Sequence, residues 1–264
     1  MTTRNASFQQ WQALLTNRTK RGRAGEFLVQ GVRPLTMAVE HGWEIRALIY
    51  PDRHALSGWA RGMLDRVDAQ PVAMSAELVG ELAGKESAEL IGVVAMPATD
   101  LADLTPDPHL LVVVFDRPST PGNIGTVVRS ADAFGASAVV ITGHAADPFD
   151  PKAVRASTGS LFAVPVLRAD SHGEVLDRID SLRAGGLPIE LVATDEHGSV
   201  DVADYDLTGP RVLLVGNETN GLSAGWRSAA DVTVRIPITG AASSLNAATA
   251  ATVVLYEAVR QRSH

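Results

Sequence analysis

In the first part of the chain, short apolar runs alternate with segments whose apolar residues recur at helical spacing. The short runs predict strands, and apolar residues spaced by three or four predict helices with one buried face. The predicted strands are residues 26–30, 45–50, 71–74 and 90–95. The predicted helices are residues 8–15, 34–41, 54–64 and 76–83. The alternation predicts a small α/β unit over residues 1–95.

Residues 96–109 contain three prolines and few apolar residues, and they predict a linker. The alternation resumes over residues 110–264 with more strongly apolar runs. The predicted strands are residues 110–115, 138–142, 164–167, 189–194, 212–215 and 232–236. The predicted helices are residues 124–134, 174–183 and a last helix that ends near Arg260. The fold class is therefore α/β, with a mostly parallel sheet in the second unit.

The last helix predicts a partner chain. Its polar residues form one narrow stripe, and alanine, valine and leucine occupy nearly all other positions. The stripe consists of Asn246, Thr249, Thr252, Tyr256 and Arg260. A helix that is apolar over most of its circumference needs cover on several sides, and one sheet covers only one of them. We therefore expect a homodimer that pairs through the C-terminal unit.

Composition excludes several classes of protein. The chain has no cysteine, which rules out disulfides, thiolate metal sites and a cysteine nucleophile. It has no apolar run of membrane-spanning length and a polar N-terminus, so we expect a cytoplasmic protein without a membrane anchor. His144 lies near Asp147 and Asp150, but without the convergent spacing of a ligand set, so we expect no metal. The net charge of -7 argues against non-specific binding to duplex nucleic acid.

One segment has the opposite charge to the chain as a whole. Between residues 17 and 33, five basic residues face the single carboxylate of Glu26. They are Arg18, Lys20, Arg21, Arg23 and Arg33. By itself such a run is typical of a solvated, mobile loop. The alternative is a contact with RNA phosphates, which a local basic patch allows despite the net charge.

Polar residues and glycines stand where the predicted parallel strands end. Asp116, Thr194, Gly216 and Pro237 each follow or close a strand, and ligands of such sheets gather at those ends. The common nucleotide-binding glycine patterns and the Gly-x-Ser-x-Gly hydrolase motif are missing from the sequence. Asn123 and Ser244, taken singly, would be helix caps, and Glu218 would be a solvated loop acid.

Taken together and in order, these residues resemble a known family. Three groups carry the resemblance: Asn123 with Arg129, Gly216-x-Glu218 with Gly221, and Ser244-Leu245-Asn246 after Ile236-Pro237. They resemble the three motifs of the SpoU (TrmH) family of RNA ribose 2'-O-methyltransferases, which belongs to the SPOUT class. Residues 27–33 resemble the L30e-like substrate-binding domain of its ribosomal RNA members, which makes the basic run an expected RNA contact.

The resemblance implies a trefoil knot in the C-terminal unit, an obligate homodimer and S-adenosylmethionine as cofactor. It implies cofactor contacts from Gly216, Ile236 and Leu245, with Thr194 near the adenine. The expected catalytic residues are Arg129, Asn123, Glu218, Ser244 and Asn246. A guanidinium stays protonated, so we expect Arg129 to hold a phosphate and stabilise the developing oxyanion, and the proton acceptor stays open. The other four are expected to bond the ribose, hold Arg129 or shape the pocket.

The expected activity is methylation of a ribose 2'-hydroxyl in ribosomal RNA, most specifically 23S ribosomal RNA. Within the family, residues 116–118 and 143–147 resemble the actinomycete members that confer antibiotic resistance, to avilamycin in particular. Two alternatives remain open. One is a transfer-RNA ribose methyltransferase, although those relatives usually lack an N-terminal unit of this size. The other is a non-catalytic RNA-binding protein of ribosome assembly, which would require damaged motifs, and none is visibly damaged.

Overall fold

Two units, each with its own sheet, make up the chain. The computed structural model describes residues 1–52, 54–84 and 88–263. The N-terminal unit comprises Met1–Ala98 together with Phe149–Ala163, and the C-terminal unit comprises Thr99–Pro148 together with Val164–His264. A short segment from the later half of the sequence therefore belongs to the N-terminal unit.

Helices and strands alternate along both units. The helices are α1 (Ala6–Thr16), α2 (Arg18–Ala24), α3 (Val32–Glu40), α4 (Gly58–Arg66), α5 (Ala76–Ala83), α6 (Pro121–Ala133), α7 (Pro151–Ser157), α8 (His172–Ala184), α9 (Ala224–Ala229) and α10 (Ala247–Arg262). The strands are β1 (Glu26–Gln30), β2 (Ile45–Pro51), β3 (Gln70–Met74), β4 (Ile91–Ala95), β5 (Leu111–Asp116), β6 (Ala138–Thr142), β7 (Val166–Ala169), β8 (Glu190–Thr194), β9 (Val200–Asp201), β10 (Arg211–Val215) and β11 (Val232–Arg235). No helix in the described ranges is both long and apolar enough to cross a membrane.

The sheet of the N-terminal unit is mixed. Its strand order is β1-β4-β2-β3, in which β4 runs antiparallel to both neighbours and β2 and β3 are parallel. Helix α1 buries Phe8, Trp11 and Leu14 in the core, as their helical spacing predicts. Phe27, with Trp43 and the later Phe162, belongs to an aromatic cluster, and Trp43 Nε1 donates to the Phe162 carbonyl oxygen at 3.1 Å. These contacts tie residues 149–163 to the N-terminal unit.

The C-terminal unit is built on a parallel sheet of seven strands, ordered β7-β6-β5-β10-β8-β11-β9. Each of its strand pairs is parallel, which matches the prediction. The central strands β5 and β10 are buried throughout, because helices cover both faces of such a sheet. The adjacent order β5-β10-β8-β11 brings the carboxyl ends of these four strands together. Asp116, Thr194 and Gly216, which the sequence placed at strand ends, therefore lie along one edge.

Several local predictions are wrong. The basic run 18–23, expected to be a loop, is helix α2, which begins because the Asn17 side chain accepts a hydrogen bond from Lys20 N. Helix α6 begins at Pro121 with Thr120 in the cap position, so Asn123 lies inside the first turn and is not the cap. Helices α7 and α9 were not predicted, since each is too short to show a clear periodicity.

Candidate active site

A cavity of about 340 Å³ lies at the carboxyl ends of β8, β10 and β11. This volume is in the range of small-molecule binding pockets. Three segments of chain form it: the end of β8, the turn after β10, and the loop between β11 and α10. The lining residues are Thr194, Asp195, Glu196, Val215, Gly216, Asn217, Glu218, Thr219, Asn220, Gly221, Val234, Ile236, Ile238, Ser244, Leu245, Ala247 and Ala250.

The turn after β10 forms the polar side of the cavity. Asn217 and Gly221 exchange two backbone hydrogen bonds of 3.0 Å, which closes the turn on itself. Gly216 is required because the backbone of residues 221 and 222 passes so close. A Cβ at Gly216 would lie 2.5 Å from both the Gly221 carbonyl carbon and the Leu222 nitrogen. The resemblance implied a cofactor contact from Gly216, and the structure adds that the turn itself needs a glycine at this position.

Hydrogen bonds from residues at the end of β5 hold this turn in place. Asp116, only 3% exposed at the end of β5, accepts hydrogen bonds from Thr142 Oγ1 at 3.1 Å and from Ser223 N at 2.8 Å. Arg117, held at φ +50°, donates to the Gly221 carbonyl oxygen at 3.2 Å, and its own carbonyl accepts from Asn217 Nδ2 at 2.6 Å. Asp116 thus acts as a structural acceptor, and Arg117, to which the sequence assigned no role in the site, fixes the turn.

Glu218 binds the start of helix α6. Its Oε2 accepts from Ser119 N at 3.1 Å and Ser119 Oγ at 3.0 Å, and its Oε1 accepts from Thr120 N at 3.3 Å and Asn123 Nδ2 at 2.9 Å. Burial alone would raise the pKa of Glu218, but the hydrogen bonds from Ser119 and Asn123 outweigh it and lower the pKa below its ordinary value. A carboxylate with a lowered pKa and four donors is a poor general base. Glu218 is suited to positioning α6.

A chain of hydrogen bonds joins the three predicted motifs. From Glu218 it continues through Asn123, whose Oδ1 accepts from Asn246 Nδ2 at 3.4 Å. The Asn246 Oδ1 in turn accepts from Ala248 N at 2.9 Å and Thr249 N at 3.3 Å, which caps helix α10. The starts of α6 and α10 and the turn after β10 are therefore held together at the edge of the cavity.

Arg129 is the one expected catalytic residue that this arrangement leaves outside. It is exposed on α6 and does not line the cavity. Ser130 and Thr252 hydroxyls lie 2.7 Å apart and link α6 to α10. Tyr256, which is 56% exposed, extends the same surface on α10. Within one chain, Arg129 is thus exposed on α6 and is not part of the cavity wall.

All four residues expected to contact the cofactor line the cavity: Thr194, Gly216, Ile236 and Leu245. Ser244 lines it as well. The Thr194 hydroxyl donates to the Leu214 carbonyl oxygen at 3.0 Å, so its direct role is to fix the end of β8. The described lining residues include three carboxylates, Asp195, Glu196 and Glu218, and no lysine or arginine. The cavity is consequently acidic, and this charge was not predicted.

The expected RNA contacts lie in the N-terminal unit and divide into two groups. Arg18, Lys20, Arg23 and Arg33 are exposed. Arg21 is a wrong prediction, because it is 1% exposed and donates through Nη1 to the Leu14 carbonyl oxygen at 2.6 Å. A buried guanidinium cannot contact a phosphate in solution. The described residues contain no group of three or more metal-ligating side chains.

A closed turn supported by a buried strand-end acid, and three motifs joined at the edge of a parallel sheet, are typical of an α/β protein that binds a small ligand. The chain belongs to the SpoU rRNA methylase family, which it matches over residues 110–256, and residues 5–91 match the SpoU L30e-like domain. The family and the fold class predicted from the motifs are therefore confirmed.

Relatives and solved structures agree over the whole chain. The 23S rRNA (uridine(2479)-2'-O)-methyltransferase of Streptomyces viridochromogenes is 58% identical over 264 residues, 99% of this chain and 92% of that protein. The crystal structure of the SpoU methyltransferase AviRb from the same organism, in complex with AdoMet, superposes with a TM-score of 0.94 at 57% identity and covers 98% of each chain. The 23S rRNA (guanosine(2553)-2'-O)-methyltransferase RlmP of Bacillus subtilis is 28% identical over 255 residues, 96% of each chain.

Proposed function

We propose that this chain transfers a methyl group from S-adenosylmethionine to a ribose 2'-hydroxyl of 23S ribosomal RNA. The observation that carries the proposal is that the second and third motifs line one cavity and that Asn123 of the first motif is hydrogen-bonded to Glu218 and Asn246 beside it. The names of the relatives support the reaction, the substrate and the cofactor. The uridine named for the Streptomyces relative is the first position to examine.

The cavity suits this cofactor in shape and charge. Ile236, Ile238 and Leu245 offer apolar surface for the adenine ring of the cofactor, and the turn 216–221 offers backbone polar groups. The three carboxylates suit a ligand whose sulfonium and ammonium groups outweigh its single carboxylate. When bound, the cofactor supplies a methyl group already activated by the sulfonium. The protein then has to bind, align and shield the reacting groups.

The role of Arg129 follows from its charge and exposure. A guanidinium remains protonated at neutral pH, so it can hold the phosphate next to the target ribose and stabilise the developing oxyanion. Because Arg129 does not line the cavity of its own chain, it acts where two copies pair through the exposed α6–α10 face. Ser244 and Asn246 bond the ribose, and Glu218 and Asn123 fix the starts of the helices that carry these groups.

The remaining parts of the proposal concern organisation. Residues 1–95, joined by residues 149–163, form the RNA substrate-binding domain, residues 96–109 the linker, and the rest of residues 110–264 the methyltransferase domain with a trefoil knot. The protein is a cytoplasmic homodimer. Of the two other candidates, transfer-RNA methylation is disfavoured by the match of residues 5–91 to the L30e-like domain. A non-catalytic role is disfavoured by the intact bonding between the motifs.

The reaction is tested by incubating the purified chain with methyl-labelled cofactor and 23S ribosomal RNA, transfer RNA or both. Digestion to nucleosides should place the label on ribose, and only in the ribosomal RNA. Label on bases, or label in transfer RNA alone, would refute the proposal. Expression in an avilamycin-sensitive bacterium is expected to raise the inhibitory concentration of that antibiotic, as the sequence resemblance implies.

A further inference from the structure

Helix α7 brings two cations to the N-terminal unit from the later half of the sequence. Residues 149–163 belong to that unit. Lys152 and Arg155 are exposed and lie three positions apart, so they share one face of α7. Neither belongs to the basic run between residues 17 and 33, and their position next to it cannot be read from local sequence.

The buried Arg21 fixes α2 to the start of α7. Its Nη2 lies 3.6 Å from Asp150 Oδ2, and Asp150 Oδ1 caps α7 by accepting from Lys152 N at 2.9 Å. Arg21 thus offsets the one carboxylate at the start of α7. This contact joins α2, which carries the exposed cations Arg18, Lys20 and Arg23, to the start of α7.

Arg33 extends the positive surface at the other end of α7. Its Nε donates to the carbonyl oxygen of Thr158, the residue that ends α7, at 3.1 Å. A cation is favoured there by the helix dipole and is held in place by the bond. The exposed cations of α2, of α7 and at residue 33 belong to one unit and to segments that contact one another, and we call this set the basic strip. It consists of Arg18, Lys20, Arg23, Lys152, Arg155 and Arg33.

Two depressions flank Arg155, and both are partly apolar. One, of about 320 Å³, is lined by Val32, which is 56% exposed, and by Trp59. The other, of about 360 Å³, is lined by Leu15 and Leu82 on one side and by Lys152 and Arg155 on the other. Glu89 also lines the first depression, but its carboxylate accepts hydrogen bonds from Ser57 N and Ser57 Oγ. Aromatic and apolar surface beside cations is what unstacked bases and their phosphates require.

We propose that the basic strip binds a single-stranded segment of the RNA substrate, with phosphates on Lys152 and Arg155 and a base in the depression at Trp59. This inference rests on the proposed function and identifies where the substrate lies on the N-terminal unit. Charge complementarity selects RNA, because the strip collects six cations in a chain of net charge -7. Arg21 contributes as a positioning residue, not as an RNA contact.

The test compares two double variants of the full-length protein. Lys152→Gln with Arg155→Gln removes two cations of the strip. Arg4→Gln with Arg46→Gln removes two exposed cations of the same unit that are already paired, Arg4 with Glu77 and Glu81 and Arg46 with Glu26 and Glu44. Affinity for a fragment of 23S ribosomal RNA is measured over a range of salt concentrations, together with affinity for S-adenosylmethionine.

For the strip variant we expect roughly tenfold weaker RNA binding and a salt slope reduced by about 1.4, since each single-strand phosphate contact contributes about 0.7. The control variant with Arg4→Gln and Arg46→Gln should keep the RNA affinity and the salt slope of the wild type. An unchanged slope in the strip variant, or an equal reduction in the control, would overturn the inference. Methylation of ribosomal RNA by the wild type reports separately on the proposed function, so a failure of one is distinguishable from a failure of the other.

The base-binding depression and the class of partner are tested separately. Trp59→Phe retains a ring for stacking and should keep affinity for a short unstructured oligonucleotide, whereas Trp59→Leu should weaken it several-fold at an unchanged melting temperature. If both variants lost the same affinity, a base would not stack on Trp59, and this part of the proposal would be wrong. Polyglutamate of matched charge should compete poorly with RNA, and equal competition would show that the strip binds acidic chains in general.

Discussion

The cavity of the C-terminal unit and the basic strip of the N-terminal unit carry opposite charges. The cavity is lined by three carboxylates and by no cation among its described residues, while the strip presents six cations. The proposed ligands have the matching signs, since the cofactor is positive and the RNA is negative. The net charge of -7 describes neither region. A whole-chain charge therefore gives little information about a protein that binds two oppositely charged ligands.

In both regions, a charged side chain fixes the helices that carry or border the binding residues. Both depend on charged side chains whose hydrogen bonds or ion pairs are made within the protein. Glu218 fixes the starting turn of α6 beside the cavity, and Arg21 fixes α2 to α7 beneath the strip. If this comparison is correct, substitutions of the supporting residues should affect stability, and substitutions of the exposed residues should affect binding or rate.

The largest expected effect is on the rate of methyl transfer. Arg129→Ala should lower the single-turnover rate by about two to three orders of magnitude, because a charge contact to the developing oxyanion is worth about 3 kcal/mol. Cofactor affinity should be unchanged, since Arg129 does not line the cavity. The two quantities are measured by quench-flow with labelled cofactor and by calorimetry. A variant that loses cofactor affinity but keeps its rate would contradict the assignment.

A smaller effect is expected on stability from Arg21→Leu. The substitution leaves Asp150 without its buried partner, and we expect the free energy of unfolding to fall by about 2 kcal/mol. The value is kept below that of a fully buried pair because the Asp150 side chain is 25% exposed. Urea unfolding of Arg21→Leu, of Asp150→Asn and of the double variant measures the loss and the coupling between the two residues. Additive losses in this cycle would show that the pair is not coupled.

Glu218→Gln should cost about 1 to 2 kcal/mol of stability at neutral pH, because an amide has one acceptor oxygen, so two of the four donors lose their acceptor and the other two lose its charge. The pKa of Glu218 is lowered in the folded state, so the carboxylate stabilises the fold above its unfolded pKa of about 4.3. That contribution is lost as the pH falls through the lowered folded pKa. Unfolding measured between neutral pH and pH about 3 should therefore show the wild type approaching the variant. A difference independent of pH would exclude this role.

The smallest effect concerns the charge of the cavity. Glu196 is exposed at its edge, so Glu196→Gln should weaken S-adenosylmethionine binding only about threefold, in line with other solvent-exposed charge interactions. Binding of S-adenosylhomocysteine, which lacks the sulfonium charge, should change less. Calorimetry with both ligands, at low and high salt, measures how much the substitution changes the affinity for each. Equal changes for both would mean that Glu196 acts through shape and not through charge.

The sequence predicted what local patterns encode. The strands of both sheets except β9, and the parallel C-terminal sheet, follow from short-range apolar runs and spacing, whereas the three motifs were identified by their resemblance to the family. Strand-end positions also predicted that Thr194 and Gly216 would meet at one edge. The resemblance to the family supplied the four expected cofactor residues, and all four line the cavity.

Long-range pairing was not predictable from these patterns. Glu218 and Asn123 are 95 positions apart, and Arg117 and Asn217 are 100 apart, so no periodicity relates them. The same holds for Arg21, whose partner Asp150 comes from the later half of the sequence. A buried arginine within a basic run looks identical in sequence to its exposed neighbours, and only the fold distinguishes them. The position of Arg129 outside the cavity is likewise decided by the fold and cannot be read from local sequence.

The central claim is that one protein uses an acidic cavity and a basic strip to methylate one ribose. It is tested most directly by mapping 2'-O-methylation across all ribosomal and transfer RNA from cells with and without the gene. The account predicts one ribose position in 23S ribosomal RNA that is methylated only when the gene is present, and that is lost with Arg129→Ala. Identical methylation maps in the two strains would contradict it.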